Sequence, residues 1–133
     1  MDVSDYLGYD ATALAALVAQ GKTTAAELLA LAERRAHQLN PRVNAICRFM
    51  PEAAQAQLRS TLQGPLAGVP FLVKDFVQDY AGYPTSCGSR VRLAPVPTVH
   101  SHIVRRLLAA GAVIFGKTNT PELALKGVTD PQA

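Results

Sequence analysis

The sequence predicts an α/β fold, N-terminal helices followed by a strand-helix-strand parallel unit, and three observations carry that prediction. Residues 1–63 hold helix caps and apolar residues at helical spacing. At "GPLAGVPFLVKD" (64–75) the character changes abruptly to a Gly-Pro turn and a short apolar run. A second run, "AVIF" (112–115), follows a helical segment, and strand, helix, strand in that order implies a right-handed crossover and a parallel pair.

Asp10 caps a short helix of Ala and Leu that ends at Gly21, and Thr24 with Glu27 forms a capping box for a second helix to about Leu39. Asn40-Pro41 is expected to stop it. Within it Leu28, Leu31, Ala32 and Arg35 keep a helical period while Glu27, Glu33 and Arg34 lie to the other side, so one stripe is buried. A third helix, rich in Ala and Gln, starts at Pro51, where a missing N–H costs nothing, and ends near Leu62. Val69–Val73 is too short for a helix and rich in β-favouring types, so it reads as a buried strand. After a Gly-, Pro- and Ser-containing loop over 81–97 comes a helix to Ala110, a stop at Gly111 and a second strand over Ala112–Phe115. A short helix then takes Thr120 as its cap and Pro121 in its first turn. The expected organisation is one incomplete domain, 1–63 helical and 64–133 the start of a central sheet.

Several function classes are disfavoured. "GAVIFGKT" (111–118) matches the phosphate-loop template G-x-x-x-x-G-K-[ST], but such a loop follows a strand and opens a helix. Here the four residues between the glycines are apolar and form the strand itself, and Pro121 leaves little room for a helix directly behind it. Thirteen Lys plus Arg against ten Asp plus Glu give a net charge of +3. The basic residues, Arg34 with Arg35, Arg90 with Arg92 and Arg105 with Arg106, form short separate clusters with no interleaved aromatics, against a nucleic-acid partner. Cys47 and Cys87 match no metal or redox spacing, which favours a reduced, cytoplasmic chain. The acidic start "MDVSDYLGYD" has the wrong charge for a signal peptide, and no apolar run suffices to span a membrane.

Active groups in open parallel sheets collect at the carboxyl ends of the strands. Lys74 and Asp75 stand at one such end, and Lys117, Thr118 and Asn119 at the other. Alternation puts Lys74 with Leu72 on one face and Asp75 with Phe71 and Val73 on the other, so Asp75 need not pair with Lys74. Lys74 has two readings that periodicity leaves open. Its ammonium snorkels to water at the sheet edge, or its desolvated neutral amine serves as general base for a hydroxyl nucleophile.

"GPLAGVPFLVKD" (64–75), "TSCGSR" (85–90) and "GAVIFGKTNTPELA" (111–124), in this order and spacing, resemble the N-terminal part of the amidase signature family. "GKTNTPE" looks more like the general amidases than the tRNA-dependent amidotransferase A subunits, and the opening helices and the ending "TDPQA" are similar to bacterial hydrolases of cyclic 6-aminohexanoate oligomers. The resemblance implies an α/β/α sandwich around a mixed sheet and hydrolysis of a carboxamide through an acyl-enzyme. It makes Lys74 the catalytic lysine of a Ser-cisSer-Lys triad, with backbone amides stabilising the oxyanion. It implies no cofactor, no metal and a small-molecule amide as substrate, and leaves a homo-oligomer open.

The family's two serines belong to a GGSSGGS stretch and a later G-G-S downstream of "GKTN", and neither is among these 133 residues. The chain is therefore expected to supply only Lys74, to be inactive alone, to fold poorly alone because its two parallel strands lack most of their neighbours, and to associate through exposed apolar sheet. Ser86 and Ser89 read as turn and loop-packing residues, Cys87 as packing, and His100 and His102 as exposed polar positions at a helix start. For Thr118 and Asn119, support of the serine-bearing loop and simple turn capping both stay open. The alternatives of another class are a truncated relic or interaction module without catalysis and, more remotely, nucleotide binding through 111–118.

Overall fold

The computed structural model describes residues 1–90 and 96–129; positions 91–95 of the expected 81–97 loop, Arg92 among them, and most of the "TDPQA" ending lie outside the described residues. A first helix that the sequence reading missed, α1 (Val3–Leu7), opens the chain on a capping box, with Asp5 N–H donating to Asp2 Oδ1 at 2.8 Å. α2 (Ala11–Ala19) is capped by Asp10 as expected, and α3 (Ala25–Val43) by the reciprocal Thr24–Glu27 pair.

α3 does not stop at Asn40-Pro41 but runs through it for one further turn. Pro41 removes one ladder bond near the helix end, and the contacts just beyond it compensate. Asn44 ends the helix in the left-handed region (φ 46) with its N–H on the Asn40 carbonyl at 2.8 Å. The Asn40 amide meanwhile takes the Ile46 N–H at 2.8 Å and donates to the Ile46 carbonyl at 2.9 Å. This clamp launches β1 (Ile46–Phe49), a short strand also missed, which pairs antiparallel with the end of β3.

α4 (Pro51–Leu58) comes next, one turn shorter than expected, then β2 (Pro70–Lys74), α5 (His102–Ala109) and β3 (Val113–Thr118). The sheet order is β1-β3-β2, with β2 and β3 parallel as predicted. The expected last helix is only a 3-10 turn at Glu122–Ala124, flanked by Pro121, because Leu123 and Ala124 take left-handed angles that break a helix; Thr120 does not cap it.

The sheet carries helices on both faces. On one, Leu29 and Ala32 of α3 pack with Leu72, Val113 and Phe115; on the other, Val104 of α5 packs with Val73, Ile114, Tyr80 and Met50. Leu14 and Ala15 of α2 close a third cluster with Leu28 and Val69. α4 lies along β3 beyond the reach of β1. There the Gln57 amide accepts from Ile114 N–H at 2.8 Å and donates to the Ile114 carbonyl at 2.9 Å.

One irregularity sets the chemistry at the end of the sheet. Phe71 pairs with Ile114 and Leu72 with Gly116, so Phe115 is an extra residue in β3, a bulge. Strict alternation would put Lys117 on the face of Val113 and Phe115. The bulge turns it instead to the face of its register partner Val73, which is also the face of Asp75.

Candidate active site

The two strand ends expected to carry chemistry lie side by side, but their lysines part company. Lys117 is completely buried, and its ammonium reaches Asp75 Oδ1 at 2.9 Å, Thr85 Oγ1 at 2.6 Å and the Pro84 carbonyl at 3.0 Å. Two hydrogen-bond acceptors and one carboxylate charge thus surround the ammonium. The other Asp75 oxygen, Oδ2, accepts from Ser86 N–H at 3.1 Å and from the Ser86 hydroxyl.

Backbone bonds lock the same corner. Asp75 N–H donates to the Thr118 carbonyl at 3.0 Å and Cys87 N–H to the Asp75 carbonyl at 3.0 Å. Cys87 and Gly88 both lie in the left-handed region (φ 57 and 68), and a Cβ on Gly88 would come within 2.4 Å of the Thr120 carbonyl oxygen. Ser89 Oγ donates to Glu122 Oε1 at 2.7 Å, and Leu123 N–H to the Cys87 carbonyl at 2.8 Å. The "TSCGS" loop is thereby bound to β2, to β3 and to the 3-10 turn. Ser86 and Ser89 spend their hydroxyls on carboxylates, and Cys87 is buried, in line with the packing readings.

Lys74 is different. It is half-buried, and its backbone N–H is met by Gln78 Oε1 at 2.6 Å. Its ammonium lies 5.7 Å from the centre of the Phe76 ring. Among the described residues no carboxylate comes within ion-pair distance of it. Across the pair of strands, Lys74 registers with Thr118 and Val73 with Lys117, which places the two lysines on opposite faces.

Other candidates stand apart. The Asn119 amide turns to the Asn44 carbonyl, and Asn119 N–H donates to the Ala45 carbonyl at 2.8 Å, joining β3 to the turn after α3. This is turn capping. His102 is exposed at the start of α5, but His100 is not the exposed position expected: its Nδ1 accepts the Ala81 N–H at 3.0 Å and its ring stands edge-on to Tyr80 at 4.5 Å. Burial first, and the Arg105 charge second, push its pKa below the usual histidine value. Cys47 and Cys87 are not in disulfides; burial, then the Asp75 charge, push Cys47 up.

The segment 111–118 makes no cradle for phosphate, since it is a helix stop and a strand whose lysine is consumed in the interior. Among the described residues no cluster of His, Cys, Asp or Glu could hold a metal ion, and no helix is long and apolar enough to cross a membrane. Between α3 and the sheet runs an apolar groove of about 410 Å³, lined by residues that include Leu39, Val43, Phe71, Leu72 and Phe115.

The Asp75–Lys117–Thr85 constellation escaped the sequence reading. A signal was present: a glycine inside a strand marks a bulge, and the bulge re-aims the lysine that follows it.

The family model described as Amidase matches residues 27–133. The putative amidase AmiB2 of Mycobacterium tuberculosis (strain ATCC 25618 / H37Rv) is 40% identical over 140 residues, which cover 100% of this chain and 30% of that protein. The glutamyl-tRNA(Gln) amidotransferase A subunit of Salinispora arenicola is 39% identical over 139 residues, covering 98% of this chain and 28% of its own. The structure of 6-aminohexanoate cyclic dimer hydrolase complexed with substrate superposes with a TM-score of 0.87 at 34% identity, over 94% of this chain and 26% of that one. This chain thus spans less than a third of the length of these relatives.

Proposed function

This chain belongs to the amidase family, and from that premise we propose that it contributes Lys74 as the base of a Ser-cisSer-Lys amidase acting on a small-molecule carboxamide. The neutral Lys74 amine takes a proton from the cis-peptide serine, which takes one from the nucleophilic serine as that attacks the amide carbon. Backbone amides hold the tetrahedral oxyanion, the leaving amine departs with a proton, and water releases the acid from the acyl-enzyme. On this reading both serines come from sequence outside these 133 residues, and the chain alone does not turn over amides.

The observation that supports Lys74 is its freedom at the carboxyl end of β2. An ammonium enclosed by a carboxylate, a hydroxyl and a carbonyl, as in Lys117, has no proton to exchange with substrate; Lys74 has no such enclosure. Two cysteines held outside disulfides support placing the protein in the cytoplasm, and the reading includes neither nucleic acid nor membrane as partner.

The test is the complete reading frame that carries residues 1–133, assayed on amides, against its Lys74→Ala variant. Loss of turnover by about 10³-fold or more with an unchanged melting temperature supports the reading, on the scale of a removed base. Ordinary activity in the variant removes Lys74 from the mechanism. A second reading, an interaction module without catalysis, draws on the apolar groove beside α3, and gains if the complete protein hydrolyses no amide yet stays folded.

A further inference from the structure

Lys74 and Asp75 are consecutive, so the nearest carboxylate in the chain to the Lys74 amine is the one that would hold it as an ion pair if it were free to turn. It is not free. Lys117 holds Oδ1 and Ser86 holds Oδ2 on the far face of the sheet, and Asp75 is only 4% exposed. The bulge at Phe115 makes this possible, since it alone brings Lys117 to the Asp75 face. Resting on the assignment of Lys74 as base, we propose that Lys117 is a positioning residue for Lys74: by claiming the Asp75 carboxylate on the opposite face, it leaves the Lys74 amine without a counter-ion.

The charged or titratable groups around this strand end are few. The residue after β2 is Asp75, β3 supplies Lys117, β1 supplies Cys47 and Arg48, and α3 presents Arg35 toward the Leu72 and Thr118 side. Among the described residues Asp75 is the carboxylate ion-paired at this strand end, and Glu122 is taken up by Ser89. Removing Lys117 therefore exposes Lys74 to an uncompensated negative neighbour, and removing the Asp75 charge exposes it to an uncompensated positive one. These have opposite signs, and removing both restores balance. A scaffold role alone, in which the pair merely holds the loop, would not produce that pattern.

The experiment labels lysines of the complete protein that carries residues 1–133 with acetic anhydride at a fixed alkaline pH and reads each site by peptide mass spectrometry. In the folded chain Lys74 labels and Lys117 is protected. Lys117→Met slows Lys74 labelling by about tenfold, Asp75→Asn speeds it, and the Lys117→Met/Asp75→Asn double variant returns it to the original rate, the size being that of one neighbouring charge. Equal Lys74 rates in the folded single variants overturn the proposal. Where one single variant unfolds and labels at every lysine, the other decides: a Lys74 rate changed by about tenfold in the stated direction supports the proposal, and a rate within about twofold of the original chain's overturns it. Where both unfold, Lys117→Arg, which keeps the charge, and Lys117→Gln, which removes it, are compared at the same pH: slower Lys74 labelling in Lys117→Gln alone supports the proposal, and equal rates overturn it. Because labelling needs no substrate, its failure leaves the assignment of Lys74 as base to the turnover assay, and failure of that assay leaves the coupling measurable.

Discussion

Lys117 and Asp75 meet at 2.9 Å with one side chain fully buried and the other nearly so, and each reaches the other because β3 carries one residue more than β2 needs. The pair closes a corner in which β2, β3 and the 84–89 loop are all engaged.

Breaking this pair from one side leaves a lone charge in the interior. Either Lys117→Met or Asp75→Asn is expected to destabilise by about 3–5 kcal/mol, and the double variant by much less than the sum. Urea denaturation of the four species measures the coupling; additive losses would show that the two charges do not stabilise each other.

Gly88 and Gly21 separate two costs of a side chain at positive φ. Both have φ near 68, but a Cβ at Gly21 meets nothing within 4 Å while one at Gly88 runs into the Thr120 carbonyl oxygen at 2.4 Å. Gly21→Ala should cost about 1 kcal/mol from backbone strain, and Gly88→Ala clearly more, because backbone must move. Equal shifts in melting temperature would mean that the loop yields freely.

His100 makes stability depend on pH. Its folded pKa lies below the value of about 6.5 it has in an unfolded chain. The unfolded state therefore binds the proton first as pH falls, so the contribution is whole above about 6.5 and is lost as pH drops through the folded value. His100→Asn can still accept the Ala81 N–H but does not titrate. The part of the pH dependence between neutral and mildly acidic conditions should flatten in that variant; an unchanged slope would assign it to other groups.

The groove beside α3 gives a prediction about the chain by itself. Val43, 61% exposed, lines it together with Phe71 and Leu72. Sedimentation of the 133-residue chain should show self-association that Val43→Glu weakens. A compact monomer at all concentrations would count against it.

The reading from sequence succeeded where local rules and global fold agree. Asp10 and Thr24 cap their helices, Gly111 ends the helix before β3, and two short apolar runs gave a parallel pair. It failed where a distant partner overrode a local signal. Pro41 should have ended α3, but Asn40 is tied to Ile46 across the turn, and the strand so launched, four residues long, is too brief to show a period. At the site, Lys74 was legible as the polar end of an apolar strand. Lys117 stood out for a phosphate motif it does not serve, and its partner became visible only once the register of two strands was known.

Gln57 has a consequence that unfolds in time. Its amide offers Ile114 what a neighbouring peptide unit would, one donor and one acceptor, at a stretch of β3 that β1 does not cover. Ile114 should therefore exchange its amide hydrogen as slowly as the three-stranded end of the sheet, although only one strand flanks it. With Gln57→Leu both Ile114 groups lose their partner while α4 still covers them, so a single carboxamide in a helix decides how firmly this buried edge of the sheet stays closed.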